Sequence, residues 1–286
     1  LRNALELLIF FILSFPLAIL PHTLAKKAGG LIGVLVYSLW GKRRQIAVEN
    51  LRAALERNAL AISTPPEALI KENFKNLGYS LAEVIKIYYG LGDNIVRSVL
   101  VKGEENFRKA KDKGKGVIFI TGHCGNWELL ALAFSSKVES LGVVARPLDN
   151  RYLNSRVERV RERFGNRVIY KRGALKAILS SLKEGGAVGI LMDQAVVPDE
   201  GVVVDFLGAP AWTTRMPAAI AKRTQAAVLP VFIRRTKNGH EITVHPEAEL
   251  TGDEVEDTKR LSGFIEDYIK ENPSEWLWIH RRWKRA

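Results

Sequence analysis

The run Val117-Ile118-Phe119-Ile120-Thr121-Gly122-His123-Cys124-Gly125-Asn126-Trp127-Glu128 decides how the rest of the chain is read. Five apolar or β-branched residues bounded by glycine predict a strand buried on both faces. Gly122 and Gly125 bracket the His-Cys pair, so the backbone there can turn sharply and come close to a ligand. Asn126 is a good N-cap for a helix carrying the apolar residues Leu129 to Phe134. Strand, tight loop and helix follow one another, and the loop presents His123 outward. Residues five apart do not share a face of one regular helix, but with His123 in the loop and Glu128 in the first turn the two side chains can meet. A carboxylate holding one ring nitrogen leaves the other free as a general base. The spacing therefore predicts a His123–Glu128 dyad.

Further along, short apolar runs alternate with amphipathic stretches: Gly142 to Ala145, Val168 to Tyr170, Val188 to Met192, Val228 to Ile233 and Ile242 to Val244. This alternation predicts an α/β fold, a mostly parallel mixed sheet flanked by helices. In open sheets of this kind ligands bind beyond the carboxyl ends of the strands. His123, Arg146 and Asp193 each stand at such an end and are expected to converge on one crevice. Before the sheet, apolar residues at helical spacing, among them Leu69, Phe74, Leu77, Ile85 and Tyr88, predict helices over residues 45–56 and 66–89 that roof the core.

Residues 7–20 are almost wholly apolar, and a second apolar segment from Leu31 to Trp40 ends at Lys42-Arg43-Arg44, a basic cluster suited to anionic headgroups on the cytoplasmic leaflet. No small-x-small cleavage site follows the first run. The two segments read as a membrane anchor over residues 1–40, although Gly29, Gly30 and Gly33 would also suit close helix packing. The remainder, 41–286, reads as one catalytic unit, helical over 41–100 and α/β over 101–286. A single cysteine and five scattered histidines offer neither a disulfide framework nor a metal cluster, so no metal or cofactor is expected. The net charge of +12 points to an acidic partner. With no nucleic-acid module in the sequence, that partner is expected to be a lipid surface or an acidic protein rather than nucleic acid. The charge concentrates between Arg151 and Arg172, with eight basic residues against two acidic ones. At the C-terminal end Trp276, Trp278 and Trp283 interleave with basic residues, a pattern that suits either the headgroup layer or a segment packed on the core.

The block from Gly122 to Glu128 resembles the signature of the bacterial lipid A biosynthesis acyltransferases of the lauroyl and myristoyl transferase type, within the wider glycerolipid (lysophospholipid) acyltransferase superfamily that uses His-x4-Asp/Glu. The resemblance continues through Arg146-Pro147, Asp193-Gln194, Val204-Asp205-Phe206-Leu207-Gly208 and Pro273 to Lys284, nearly the whole chain. Cys124 departs from it, standing where the family more often carries an aromatic residue. The resemblance implies a glycerolipid acyltransferase-like fold at the cytoplasmic face of the cell inner membrane. It also implies transfer of a fatty acyl group from acyl carrier protein to a hydroxyl of a lipid A precursor. His123 would act as base and Glu128 would orient it, with Asn126, Arg146, Arg163 and Asp193 binding substrate. The family's active-site arginine falls near Arg163, with Arg159 and Arg161 also open. Alternatives are another acceptor, such as a lysophospholipid or a phosphoinositide mannoside, and a non-catalytic membrane lipid or carrier-protein binder.

Overall fold

The computed structural model describes residues 2–170 and 173–284. Its N-terminal third is helical: α1 (Arg2–Ile19), α2 (His22–Leu39), α3 (Gly41–Glu56), α4 (Pro66–Tyr88) and α5 (Asp93–Ser98). An alternating region follows, with β1 (Leu100–Lys102), α6 (Glu104–Lys111), β2 (Val117–Thr121), α7 (Trp127–Lys137), β3 (Leu141–Ala145), α8 (Arg151–Arg161), β4 (Arg167–Tyr170), α9 (Ala174–Lys183) and β5 (Ala187–Leu191). The chain then forms a hairpin of β6 (Gly201–Phe206) and β7 (Ala209–Thr214), followed by α10 (Met216–Thr224), β8 (Ala227–Thr236), β9 (Gly239–Val244) and α11 (Glu254–Glu271).

Seven strands form one sheet in the order β1-β9-β8-β2-β5-β3-β4, and β8 with β9 is its antiparallel pair. The other neighbours run parallel, so the fold is the mostly parallel mixed sheet that the sequence predicts. β2 lies at the centre and all five of its residues are buried, as a doubly covered strand requires. One aliphatic core packs against each face of the sheet. The β6–β7 hairpin was not foreseen. It turns at Leu207-Gly208, both with positive φ, inside the very block that the family resemblance singles out.

Helix α2 has two different faces. Gly29 and Gly33 lie so close to α4 that a Cβ on either would collide with the carbonyl oxygen of Gly78 or Phe74. On the outer face Leu31, Leu35 and Leu39 are exposed. The segment is thus packed against the protein on its glycine side, with its leucines facing outward. Helix α1 has 18 residues, a mean hydropathy of 1.7 and little burial, with Leu5, Leu8, Ile12, Leu13 and Phe15 facing outward. At 1.5 Å per residue it spans about 27 Å, close to the hydrocarbon thickness of a bilayer. One N-terminal apolar helix of this length is consistent with membrane anchoring. It is fastened to the body: Lys86 of α4 donates from Nζ to the carbonyls of Ala18 and Leu20 at 2.6 Å each. Asn150, at the start of α8, donates to the Asn3 carbonyl at 2.8 Å.

The C-terminal tryptophans belong to the core. Trp276 and Trp278 are buried to 1% and 0% exposure, and Asn73 of α4 donates to the Ser274 and Trp276 carbonyls at 2.8 and 2.7 Å. Of the two readings open from the sequence, packing on the core is the one realised at these two positions.

Candidate active site

The loop after β2 is tightly built. Gly125 has φ +56°, and a Cβ there would run into the carbonyl oxygen of Ile233, so both conformation and space require glycine. Asn126 then caps α7, its side-chain oxygen accepting from the Leu129 amide at 3.2 Å. Its amide nitrogen donates at 2.9 Å to Glu83, which is buried and also pairs with Arg235 and His240. Burial pushes the Glu83 pKa up, but the His240 and Arg235 contacts overcome it and hold the group well below the usual carboxylate range. From beneath, the C-terminal segment supports the loop: the Gly125 amide donates to the Glu275 carbonyl at 2.8 Å and the Leu277 amide to the His123 carbonyl at 3.1 Å.

The carboxylate that meets His123 is Asp193. Nδ1 of the ring lies 2.7 Å from Asp193 Oδ1, and the His123 amide donates to Oδ2 at 2.9 Å. Sheet geometry explains the meeting. β2 and β5 are parallel neighbours with Thr121 level with Leu191, so the residues two places beyond each strand end, His123 and Asp193, lie side by side. The Trp276 indole donates to the same Oδ2 at 2.8 Å. Burial pushes the Asp193 pKa up, but the charge of His123, its two hydrogen bonds and the indole together bring it down to about 2. For His123, burial disfavours the charged ring, yet Asp193, and Glu128 more remotely, outweigh it and raise the pKa above the ordinary value. On the other side of the ring Gln194 Nε2 lies 3.2 Å from His123 Nε2. An amide donor there and a carboxylate acceptor at Nδ1 assign the neutral ring its proton on Nδ1 and its lone pair on Nε2. Trp127 packs edge-on against the ring, with centroids 5.2 Å apart.

Glu128 does not reach the ring. From the first turn of α7 it turns toward α8 and accepts from Arg161 in a two-point pair, with Nε to Oε2 at 2.9 Å. Burial works against the Arg161 charge, but the Glu128 carboxylate prevails and its pKa lies above the ordinary value. Of the three arginines open in the sequence, Arg161 faces the pocket beside His123. Arg163 instead pairs with Asp93 at 2.8 Å, because it falls beyond the end of α8 and points toward α5. Arg146 is 82% exposed, 3.8 Å from Asp149, outside the pocket lining. Cys124 is buried, and burial, followed by the nearby Asp193 and Glu275 carboxylates, pushes its thiol well above the ordinary pKa.

His123, Glu128, Arg161 and Gln194 rim a pocket of about 280 Å³ between the sheet and α7. Below the rim its walls are apolar, with Phe119, Leu132, Phe134, Leu141, Val143 and Val231 among them. The arrangement can hold a hydrocarbon group in the pocket and present its polar end to Nε2, whose lone pair accepts from Gln194 until a substrate hydroxyl takes that place.

A mostly parallel α/β sheet with a carboxylate-held histidine at the carboxyl end of its central strand, over an apolar pocket, is an arrangement suited to proton transfer beside an apolar substrate. A family model described as bacterial lipid A biosynthesis acyltransferase matches residues 1–285, and the chain belongs to that family. Similar proteins include a lipid A biosynthesis acyltransferase of Haemophilus influenzae, 26% identical over 95% of this chain and 84% of its own. The lipid A biosynthesis palmitoleoyltransferase of Escherichia coli is 26% identical over 93% and 86%. A phosphatidylinositol mannoside acyltransferase of Mycobacterium tuberculosis is 26% identical over 82% and 77%. The protein is therefore an acyltransferase, acting between an acyl donor and a lipid acceptor.

Proposed function

We propose that the protein transfers a fatty acyl chain from acyl carrier protein to a hydroxyl of a lipid A precursor at the cytoplasmic face of the inner membrane. The observation that carries this reading is the His123–Asp193 pair at the rim of an apolar pocket. The acyl chain lies in the pocket and its thioester carbonyl rests at the rim. His123 Nε2 takes the proton of the acceptor hydroxyl, and the oxygen attacks the thioester carbon. Asp193 holds Nδ1 and stabilises the imidazolium that forms. Collapse of the tetrahedral intermediate breaks the carbon–sulfur bond, and the departing thiolate recovers the proton from His123. No covalent enzyme intermediate is required. Arg161, fixed by Glu128, supplies positive charge beside the developing oxyanion. Asn126 sets the loop through its cap and its bond to Glu83.

The exposed faces of α1 and α2, with Lys42 and Arg44 beyond them, support a membrane-bound position among anionic headgroups. The carrier protein, being acidic, would dock on α8, where Arg151, Arg156 and Arg159 face outward while Arg161 enters the pocket. Lys171 and Arg172, the end of the basic run, lie outside the described residues. Similarity to the mannoside acyltransferase makes a phosphoinositide mannoside the second acceptor to test. Purified protein in detergent, given an acyl carrier protein thioester, should add one acyl mass to a lipid A precursor by mass spectrometry. Acylation of the mannoside alone would replace the acceptor in this reading, and no transfer to either would overturn it.

A further inference from the structure

The pocket face of the sheet has one position where a side chain is missing. In the register of the parallel strands, Gly189 of β5 stands between Phe119 of β2 and Val143 of β3, and all three line the pocket. Glycine in the interior of a central strand weakens it and calls for a reason. Backbone conformation is not the reason, because Gly189 is absent from the residues with positive φ. Crowding is not the reason either: a Cβ on Gly189 would meet no atom within 4 Å. Gly142 of β3 is the contrasting case, since a Cβ there would come within 2.8 Å of Ile169. What remains is room for something that is not protein, in a slot with aromatic and aliphatic walls.

We infer that Gly189 sets the length of acyl chain the enzyme accepts, by leaving open the stretch of pocket that the distal carbons fill. The inference rests on the proposed seating of the acyl chain in this pocket. Its depth follows from the sheet. Gly189 precedes Asp193 by four residues, which at roughly 3.3 Å per residue places the slot about 13 Å below the rim. An extended peptide advances through three chain bonds per residue, and an extended alkyl chain advances about as far per bond. The slot thus meets the chain on the order of ten to twelve carbons from the thioester carbonyl. The pocket volume agrees: an apolar cavity of roughly 150 Å³ takes one benzene, six carbons, and this one is about 280 Å³. A side chain at position 189 would project into the slot and shorten the pocket without straining the strand.

The test sets Gly189→Ala and Gly189→Leu beside the unaltered enzyme. The donors are saturated acyl carrier protein thioesters of about six to sixteen carbons in one mixture, and product masses report which chains are transferred. Gly189→Leu should move the preferred length shorter by about four carbons and Gly189→Ala by about one or two. Short-chain rates should fall far less than long-chain rates. Long-chain rates should fall by roughly fourfold for each methylene denied its place, on the order of a hundredfold in the leucine variant. Gly189→Ala adds one methyl group to open space, so it keeps the question answerable if the leucine variant fails to fold. An unchanged length profile in folded variants, or a loss equal at every length, would overturn the inference and leave the proposed function standing. An unaltered enzyme that transfers no acyl group from any donor would instead overturn the proposed function, and the inference with it.

Discussion

Asp193→Asn keeps the shape of the group behind His123 and removes its charge. In the native site the carboxylate accepts from the ring, the His123 amide and the Trp276 indole, and its pKa is about 2 against an ordinary 3.8. That difference corresponds to roughly 2 kcal/mol of interaction between the ionised group and the folded protein. Because the folded pKa lies below the unfolded one, the contribution is complete above about pH 4 and is lost as the pH falls through about 2. At neutral pH the substitution should therefore cost about 2 kcal/mol of stability, read from denaturant unfolding. The kinetic loss should be larger. An amide cannot stabilise the imidazolium and can hold the ring in the wrong tautomer, effects that together are on the order of 10³- to 10⁴-fold in kcat. The pH profile supplies a reading that simple misfolding would not. In the proposed mechanism transfer needs the unprotonated ring, so activity should rise as pH increases through the His123 pKa. Asp193 is the strongest influence raising that pKa, and removing its charge should move the acid limb of kcat/KM to lower pH while the plateau drops. Rates measured from about pH 5 to 9 on Asp193→Asn and Glu128→Gln decide the matter. If Asp193→Asn kept a near-native rate, or if Glu128→Gln moved the limb and Asp193→Asn did not, the ring's orienting partner would have to be Glu128 and the assignment here would fail.

Cys124→Ala should retain activity within a few-fold, since the thiol is buried and held protonated; an acyl thioester trapped on Cys124 would show otherwise. Trp276→Phe removes one hydrogen bond from Asp193, and about a tenfold loss of kcat with about 1 kcal/mol of destabilisation is expected, measured by rates and unfolding together. Removing residues 1–20 should abolish flotation with vesicles and also deprive Lys86 of both its acceptors, costing about 2 to 3 kcal/mol. Lys86→Met should recover most of that loss in the truncated protein but not in the full chain. Arg156→Glu with Arg159→Glu should raise KM for a carrier-protein donor more than for the matching coenzyme A donor, with kcat nearly unchanged; equal effects on both donors would remove α8 as the docking site.

Much of this architecture is legible in the sequence because its signals are local. The buried run of β2, the glycines around His123 and the Asn126 cap each depend on neighbours within a few residues, and they fall where the pattern predicts. The partner of His123 is not a local matter. It depends on which strand lies beside β2, and the sheet order that makes β5 the neighbour leaves no trace in residues 117 to 128. Five-residue spacing made Glu128 the natural candidate, yet Arg161 draws it away, and Arg161 becomes identifiable only once α8 is seen to end over the pocket. The tryptophans show the same limit. Aromatic rings among cations read alike whether they face headgroups or core, and only the hydrogen bonds from Asn73 and to Asp193 separate the two.

The segment that underpins the His123 loop has a bearing on when the enzyme becomes active in the life of each molecule. Trp276 lies 153 positions after His123 in the chain, a stretch that takes roughly 8 to 30 s to synthesise. During that interval the apolar helix α1 is already made, while the His123 loop lacks its backbone partners and Asp193, once made, lacks its indole donor. A nascent chain therefore has its apolar helix before it has the contacts that hold the His123 loop. The order in which the parts leave the ribosome puts the apolar helix first and the support of the candidate site last.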